Sequence, residues 1–145
     1  MKSDGGLRSL FRKHLPKVFF TTIESRLTQA GIPDLHGIAD GGPAFWIENK
    51  ATKGYAVRVR PLQSAWLRRY AGKGGYCALA VRRRSSRGED ELWLVAGSAA
   101  HRLATGGLQG LGRGLLGRWA GGPAGWPWLT VLALVTRQKA PSRPR

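Results

Sequence analysis

Asp40-Gly41-Gly42-Pro43 divides two runs that each read as a strand, residues 34–39 and 44–50. Asp-Gly between such runs is a strong hairpin signal, because glycine accepts the left-handed backbone that a tight turn needs. A hairpin constrains a chain severely, since its turn sets the pairing of every residue on both arms. A turn centred near Gly41 sets Asp34 directly across from Glu48, each seven residues away. Residues two apart in a strand share a face, so Glu48 and Lys50 point the same way. A register slip of one residue undoes both relations.

Acids are rare in this chain, which gives that pairing its weight. The 145 residues include 24 Lys and Arg but eight Asp and Glu, for a formal charge of +16. Self-repulsion makes such a charge costly, and a polyanionic partner is its simplest explanation, nucleic acid being the commonest. A histone-like or ribosomal-type binder without chemistry would carry the same charge. Residues 51–88 contain ten Lys or Arg and no acid, and residues 92–145 again contain none. Five of the eight acids precede Lys50, and the other three are consecutive, Glu89, Asp90 and Glu91.

Cys77 is the only cysteine, which excludes an intramolecular disulfide and fits a reducing cytoplasm. It lies in an apolar run and reads as a small core residue. One Cys and three His at these spacings exclude a zinc pattern. Gly72-Lys73-Gly74-Gly75 lacks P-loop spacing, so no nucleotide cofactor is expected. No apolar stretch follows the basic N-terminus, so no signal peptide is expected. The longest apolar run, residues 126–135, is too short to span a bilayer, and no membrane partner is expected.

Leu7, Leu10, Phe11 and Leu15 have helical spacing and predict a short amphipathic helix ending before Pro16. Residues 18–23 read as a short strand or as the lead-in to a helix around residues 24–30, which Gly31 ends. Residues 55–60 alternate and predict a strand. Pro61 suits the first position of a helix whose apolar face is Leu62, Trp66 and Tyr70. Residues 76–81 form the continuous apolar run of a buried strand, with residues 92–96 as its hairpin partner across a basic loop, residues 82–88. Residues 98–104 predict a short helix. Nine glycines in residues 106–125 predict an irregular segment. The alternation of helices and strands is that of an α/β fold.

Paired carboxylates beside a lysine suit one chemistry in a basic chain. Asp34 and Glu48 can hold a hard cation, Mg2+ or Mn2+, through oxygen ligands. Lys50 would then orient a water or offset charge building on a phosphate. Two close carboxylates repel without the cation, so such a site depends on metal. Gln63 adds to this set. At about 100° per residue it falls inside the apolar arc that runs from Leu62 through Trp66 and Tyr70 to Leu67. An inward-facing amide needs a partner, either backbone or a polar site beneath it.

Glu24, Gly31-Ile32-Pro33-Asp34, Glu48-Asn49-Lys50 and Gln63, in that order, resemble the PD-(D/E)XK nuclease superfamily. More narrowly, they are similar to the virus-type replication-repair nuclease (VRR-NUC) group, which includes small phage nucleases. The resemblance covers residues 22–83. It implies a restriction-endonuclease-like core, a mixed central sheet flanked by helices, and Mg2+- or Mn2+-dependent cleavage of DNA phosphodiester bonds. It also implies double-stranded or branched DNA as partner, Holliday junctions included. A homodimer acting in the cytoplasm of a bacterial host or phage-infected cell is expected.

Carried over residue by residue, Asp34 and Glu48 match the metal ligands and Lys50 the catalytic lysine. Gln63 matches the helical glutamine near the lysine and the phosphate. Glu24 matches the acid preceding the core that helps hold metal, and Asn49, adjoining Glu48, is counted with the metal set. Family members usually carry an apolar or small residue at the Asn49 position, which here shares a face with Phe45 and Ile47 and needs hydrogen bonds.

Arg26, Arg58, Arg60, Arg68, Arg69, Lys73, Arg82, Arg83 and Arg84 are the expected phosphate contacts, which position DNA without reading its sequence. His36 shares parity with Asp34 and is expected near the metal. Trp119, Trp126 and Trp128 either pack, within the chain or across a dimer, or stack on bases. The expected organisation is a nuclease core over residues 1–105, a Gly/Trp-rich extension packed on it over residues 106–136, and a basic disordered tail over residues 137–145. A non-catalytic nucleic-acid-binding protein with the same fold is the alternative reading. A sequence-specific restriction enzyme is disfavoured by the lack of a separate target-recognition domain.

Overall fold

The structure is a computed structural model and describes residues 3–137. Six strands form one open mixed sheet in sequential order, from β1 (Phe19–Thr22) through β2 (Leu35–Ile38), β3 (Ala44–Thr52), β4 (Tyr76–Arg84) and β5 (Asp90–Ala96) to β6 (Leu115–Trp119). All neighbours are antiparallel except β3 and β4. Those two run parallel because helix α3 (Pro61–Gly72) carries the chain back between them.

The remaining α-helices are α1 (Leu7–His14), α2 (Ser25–Gln29), α4 (Ala100–Gly106) and α5 (Trp128–Arg137). Side chains that alternate along the central strands split the core into two layers. Ala78 and Ala80 of β4 face α1 and α5, with Phe11, Phe45, Ile47 and Val131. Cys77, Leu79 and Val81 face α3 and α4, with Leu67, Trp93 and Leu103. The small residues on the first face let α5 lie close against the sheet. No helix among the described residues is long and apolar enough to cross a membrane.

The hairpin forms as its turn predicts. The Gly42 N–H donates to Ala39 O at 2.9 Å, Gly41 takes the left-handed conformation with φ 79°, and Leu35 pairs with Ile47. That register, carried one step further, sets Asp34 across from Glu48.

Two segments depart from expectation. Residues 55–60 form no strand; their alternation reports burial of Val57 and Val59 and not a ladder. Residues 106–125 are not irregular throughout. They contain β6, which extends the same sheet on β5, and Leu108 and Leu111 enter the core. Residues 106–136 thus supply the sixth strand of the sheet and part of its helical cover. Trp126 and Trp128 are buried, and His14 stacks on Trp128 at 4.6 Å, so packing is the outcome for these two rings. The tail expected over residues 137–145 lies outside the described residues, except for Arg137 at the end of α5.

Candidate active site

The site forms where β3, the start of β2, the first turn of α3 and the N-terminal turn converge on a cleft of about 300 Å³. Asp34, Glu48, Asn49, Lys50 and Gln63 line it, together with Asp4, Arg8 and Arg60.

Gly31 governs the approach of Asp34. Its φ is 98°, and a β-carbon there would meet the backbone oxygen of Leu62. Only glycine permits both the left-handed turn and so close an approach. Arg60 fastens the same junction by donating to Thr28 O at 2.7 Å and Gln29 O at 3.1 Å. The Ile23 N–H then donates to Asp34 O at 2.9 Å, continuing the β1–β2 ladder.

The Asp34 carboxylate accepts through Oδ1 from the Asn49 backbone N–H at 3.0 Å and from Asn49 Nδ2 at 3.1 Å. This answers the oddity of a polar residue among Phe45 and Ile47: Asn49 clamps Asp34. Its own Oδ1 is buried without a partner.

Gln63 ties the other half together. Its Nε2 donates to Glu48 Oε2 at 3.0 Å, while Oε1 accepts from Lys50 Nζ at 2.8 Å and from the Arg60 N–H at 3.0 Å. The last contact is half of a capping box, with Pro61 in the first helical position. The inward amide therefore finds the polar site that its place on the helix requires. Lys50 Nζ also lies 3.5 Å from Glu48 Oε2.

The electrostatics are those of charged groups taken out of water. Burial pushes Asp34 up to about 6, against the opposing pull of the Asn49 hydrogen bonds and the Arg8 charge. Burial first, and then the charge of Asp34, push Glu48 up to about 7. Burial also lowers the pKa of Lys50. Glu48 Oε1 is buried with no hydrogen-bond partner, an arrangement that ordinarily costs free energy.

These residues fit a divalent cation, since it would relieve both raised carboxyls and engage the orphaned oxygen. Among the described residues no group of three or more His, Cys, Asp or Glu is placed to hold a metal. Mg2+ does not require one: it keeps several waters and takes one or two carboxylates alongside substrate phosphates.

Other expected residues fall elsewhere. Glu24 is exposed at the N-cap of α2 and is not part of the cleft lining; the third carboxylate there is Asp4. His36 packs edge-on against Trp46 at 4.7 Å, in an aromatic cluster with Trp66 and Tyr70.

Arg26, Arg58, Arg68, Arg69 and Lys73 are exposed, and their side chains form no ion pair among the described residues. Arg82 and Arg83 have work within the protein. They belong to β4, not to a loop, because the three acids of residues 89–91 follow them across the hairpin. Arg82 binds Asp90 at 2.7 Å and Gly5 O at 2.8 Å. Arg83 is buried, binds Glu91 at 3.0 Å and lies over the Tyr55 ring. Arg84 is half-buried with an unpartnered Nε.

Asp4 and Arg8 escaped the sequence reading. The Asp-x-x-x-Arg spacing of a helical ion pair was legible, but nothing local tells that it faces a strand thirty residues on. No family model, curated protein or solved structure matches this chain.

Proposed function

We propose that this protein is a metal-dependent nuclease that hydrolyses phosphodiester bonds in DNA. The observation that carries the reading is the pair of buried carboxylates, Asp34 and Glu48, held beside Lys50 and Gln63 in one cleft of a chain with formal charge +16. Burying two acids side by side has no structural benefit that apolar residues would not supply more cheaply. A cation and a phosphate give the arrangement its reason.

Asp34 and Glu48 would hold Mg2+ or Mn2+. The ion would supply polarisation of a phosphoryl oxygen and a lowered pKa for an attacking water. The chain's own groups do the rest. Asn49 keeps Asp34 oriented. Gln63 fixes both Glu48 and Lys50, so that carboxylate and ammonium keep their spacing. Lys50, with donors left over after Gln63, faces charge building on the phosphate. Exposed Arg58, Arg68, Arg69 and Lys73 add phosphate contacts that set the path of the duplex. The restriction-endonuclease-like identity of the core, a preference for branched DNA and action as a homodimer belong to this proposal through the sequence resemblance.

The closed chain Lys50–Gln63–Glu48 also suits a second reading, a DNA-binding protein whose acids are purely structural. A cleavage gel separates the two. Branched and linear duplexes are incubated with wild type, Lys50→Ala and Asp34→Asn, in Mg2+, Mn2+ or EDTA. Cutting by wild type alone, and only with metal, is the expected result. Binding without cutting under every condition would reject the enzyme.

A further inference from the structure

The cleft contains a guanidinium with no part in the chemistry above. Arg8 Nε lies 2.8 Å from Asp4 Oδ2 and 3.7 Å from Asp34 Oδ2, and the side chain is 37% exposed. Its two terminal amino groups have no partner among the described residues.

Arg8 is held in place by a chain of contacts that runs from the N-terminal turn to the β4–β5 hairpin. Asp4 is only 4% exposed. Its Oδ1 accepts the Gly6 N–H at 2.9 Å, and its backbone oxygen accepts the Leu7 N–H at 3.0 Å. Arg82, doubly bonded to Asp90, reaches to Gly5 O on the same face of the sheet and fastens this turn from β4. Leu7 and Phe11, on the same helix, are locked in the core. A surface ion pair needs no such anchoring and gains little from it.

Charge in the cleft tells what the anchoring is for. Asp4, Asp34 and Glu48 face Arg8, Lys50 and Arg60, so the lining is formally balanced. Arg60 commits both terminal amino groups to backbone carbonyls, and Lys50 engages Gln63 and Glu48. Arg8 offers two free amino groups in the planar fork that suits a phosphate. We propose that Arg8 binds a phosphate oxygen of a nucleic-acid strand lying in the cleft, with Asp4 as its positioning residue. The identity of the strand rests on the nuclease reading; the contact does not require cleavage.

The test is fluorescence anisotropy with a labelled DNA duplex and a labelled four-way junction in EDTA, across a salt series. Arg8→Ala is expected to weaken binding about tenfold and to flatten the salt slope by about one. Asp4→Asn keeps the cation and the slope but loses several-fold affinity, because Arg8 is no longer aimed. The exposed Arg113→Ala control, outside the cleft, is expected to change neither by as much. Should Arg8→Ala melt early, Arg8→Lys keeps a partner for Asp4 and still loses the planar fork, so several-fold weaker binding is expected from a stable protein. If wild type cuts, Arg8→Ala raises KM more than it lowers kcat. Affinity and slope in Arg8→Ala or Arg8→Lys equal to those of Arg113→Ala would overturn the proposal. Wild type that binds but never cuts would reject the nuclease reading and leave this comparison intact.

Discussion

Replacing Glu48 by Gln removes a charge that both burial and Asp34 oppose. The folded pKa values of Asp34 and Glu48, about 6 and about 7, lie above the ordinary carboxylate range. The folded state therefore binds the protons more tightly than the unfolded chain. The stability this contributes is complete below about pH 4 and is lost as pH rises through both folded values. Glu48→Gln is accordingly expected to melt higher than metal-free wild type at about pH 8, with the gap closing toward about pH 5, while losing cleavage. A divalent cation competes with protons, so it should raise the wild-type melting temperature more at about pH 8 than at about pH 5.5. Thermal melts with and without Mg2+ check both statements; equal gains at the two pH values would remove the carboxylate pair as the cation site. Gln63→Leu removes the amide that joins Glu48 Oε2, Lys50 and the Arg60 N–H, leaves that N–H without its acceptor, and is expected to cost about 1–3 kcal/mol, read by urea denaturation.

At the scale of elements, the junction of α2, β2 and α3 is the most sensitive to a single atom. Gly31→Ala adds a methyl against the Leu62 carbonyl at a left-handed position. More than about 1 kcal/mol of stability should be lost, with Asp34 displaced and cleavage reduced beyond what the stability loss explains. Trp128→Ala, on α5, is expected to cost about 3–5 kcal/mol yet leave cleft geometry and KM unchanged in the folded fraction.

The elements also differ in how plainly the sequence announces them. The β2–β3 hairpin was legible because its turn is local and symmetric, and Asp34 and Glu48 came with it. Helix α3 was legible from Pro61, and Gln63 as an inward residue, but its buried face is Gln63, Ser64 and Leu67. The expected Leu62 is exposed and Trp66 and Tyr70 are half-buried, since the rings pack on each other along the helix flank. Residues 55–60 misled because alternation signals a buried edge whether or not a partner strand exists. β6 was hidden by glycine, whose weak preferences say little about a strand that long-range pairing imposes. Asp4 and Arg8 were hidden because Arg82 joins Gly5 across 77 positions of chain, a distance no periodicity spans.

For the whole molecule, the sequence property with the widest reach is charge, and the fold divides it into two uses. Arg68, Arg69 and Lys73 stand free along α3, while Arg82 and Arg83 brace the sheet against Asp90 and Glu91. Arg69→Ala is expected to weaken DNA binding at low salt and leave the melting temperature within about 2 °C. Arg82→Ala should do the reverse in proportion, lowering the melting temperature by several degrees by releasing the N-terminal turn and stranding Asp90. Paired melts and anisotropy titrations on both variants measure this division; matching effects would mean the two groups of arginines share one role.

Cys77 sits between β4 and α3, with its thiol donating to Leu67 O at 3.5 Å and its pKa pushed up to about 12 by burial. A thiol reagent can reach it only when α3 parts from β4, so the single cysteine times that opening of the protein. A cation that binds only the closed form slows that clock, about tenfold for each ~1.4 kcal/mol of binding. The rate at which one sulfur is modified, followed against Mg2+ or Mn2+ concentration, thereby reads the affinity of the cleft with no DNA in the tube.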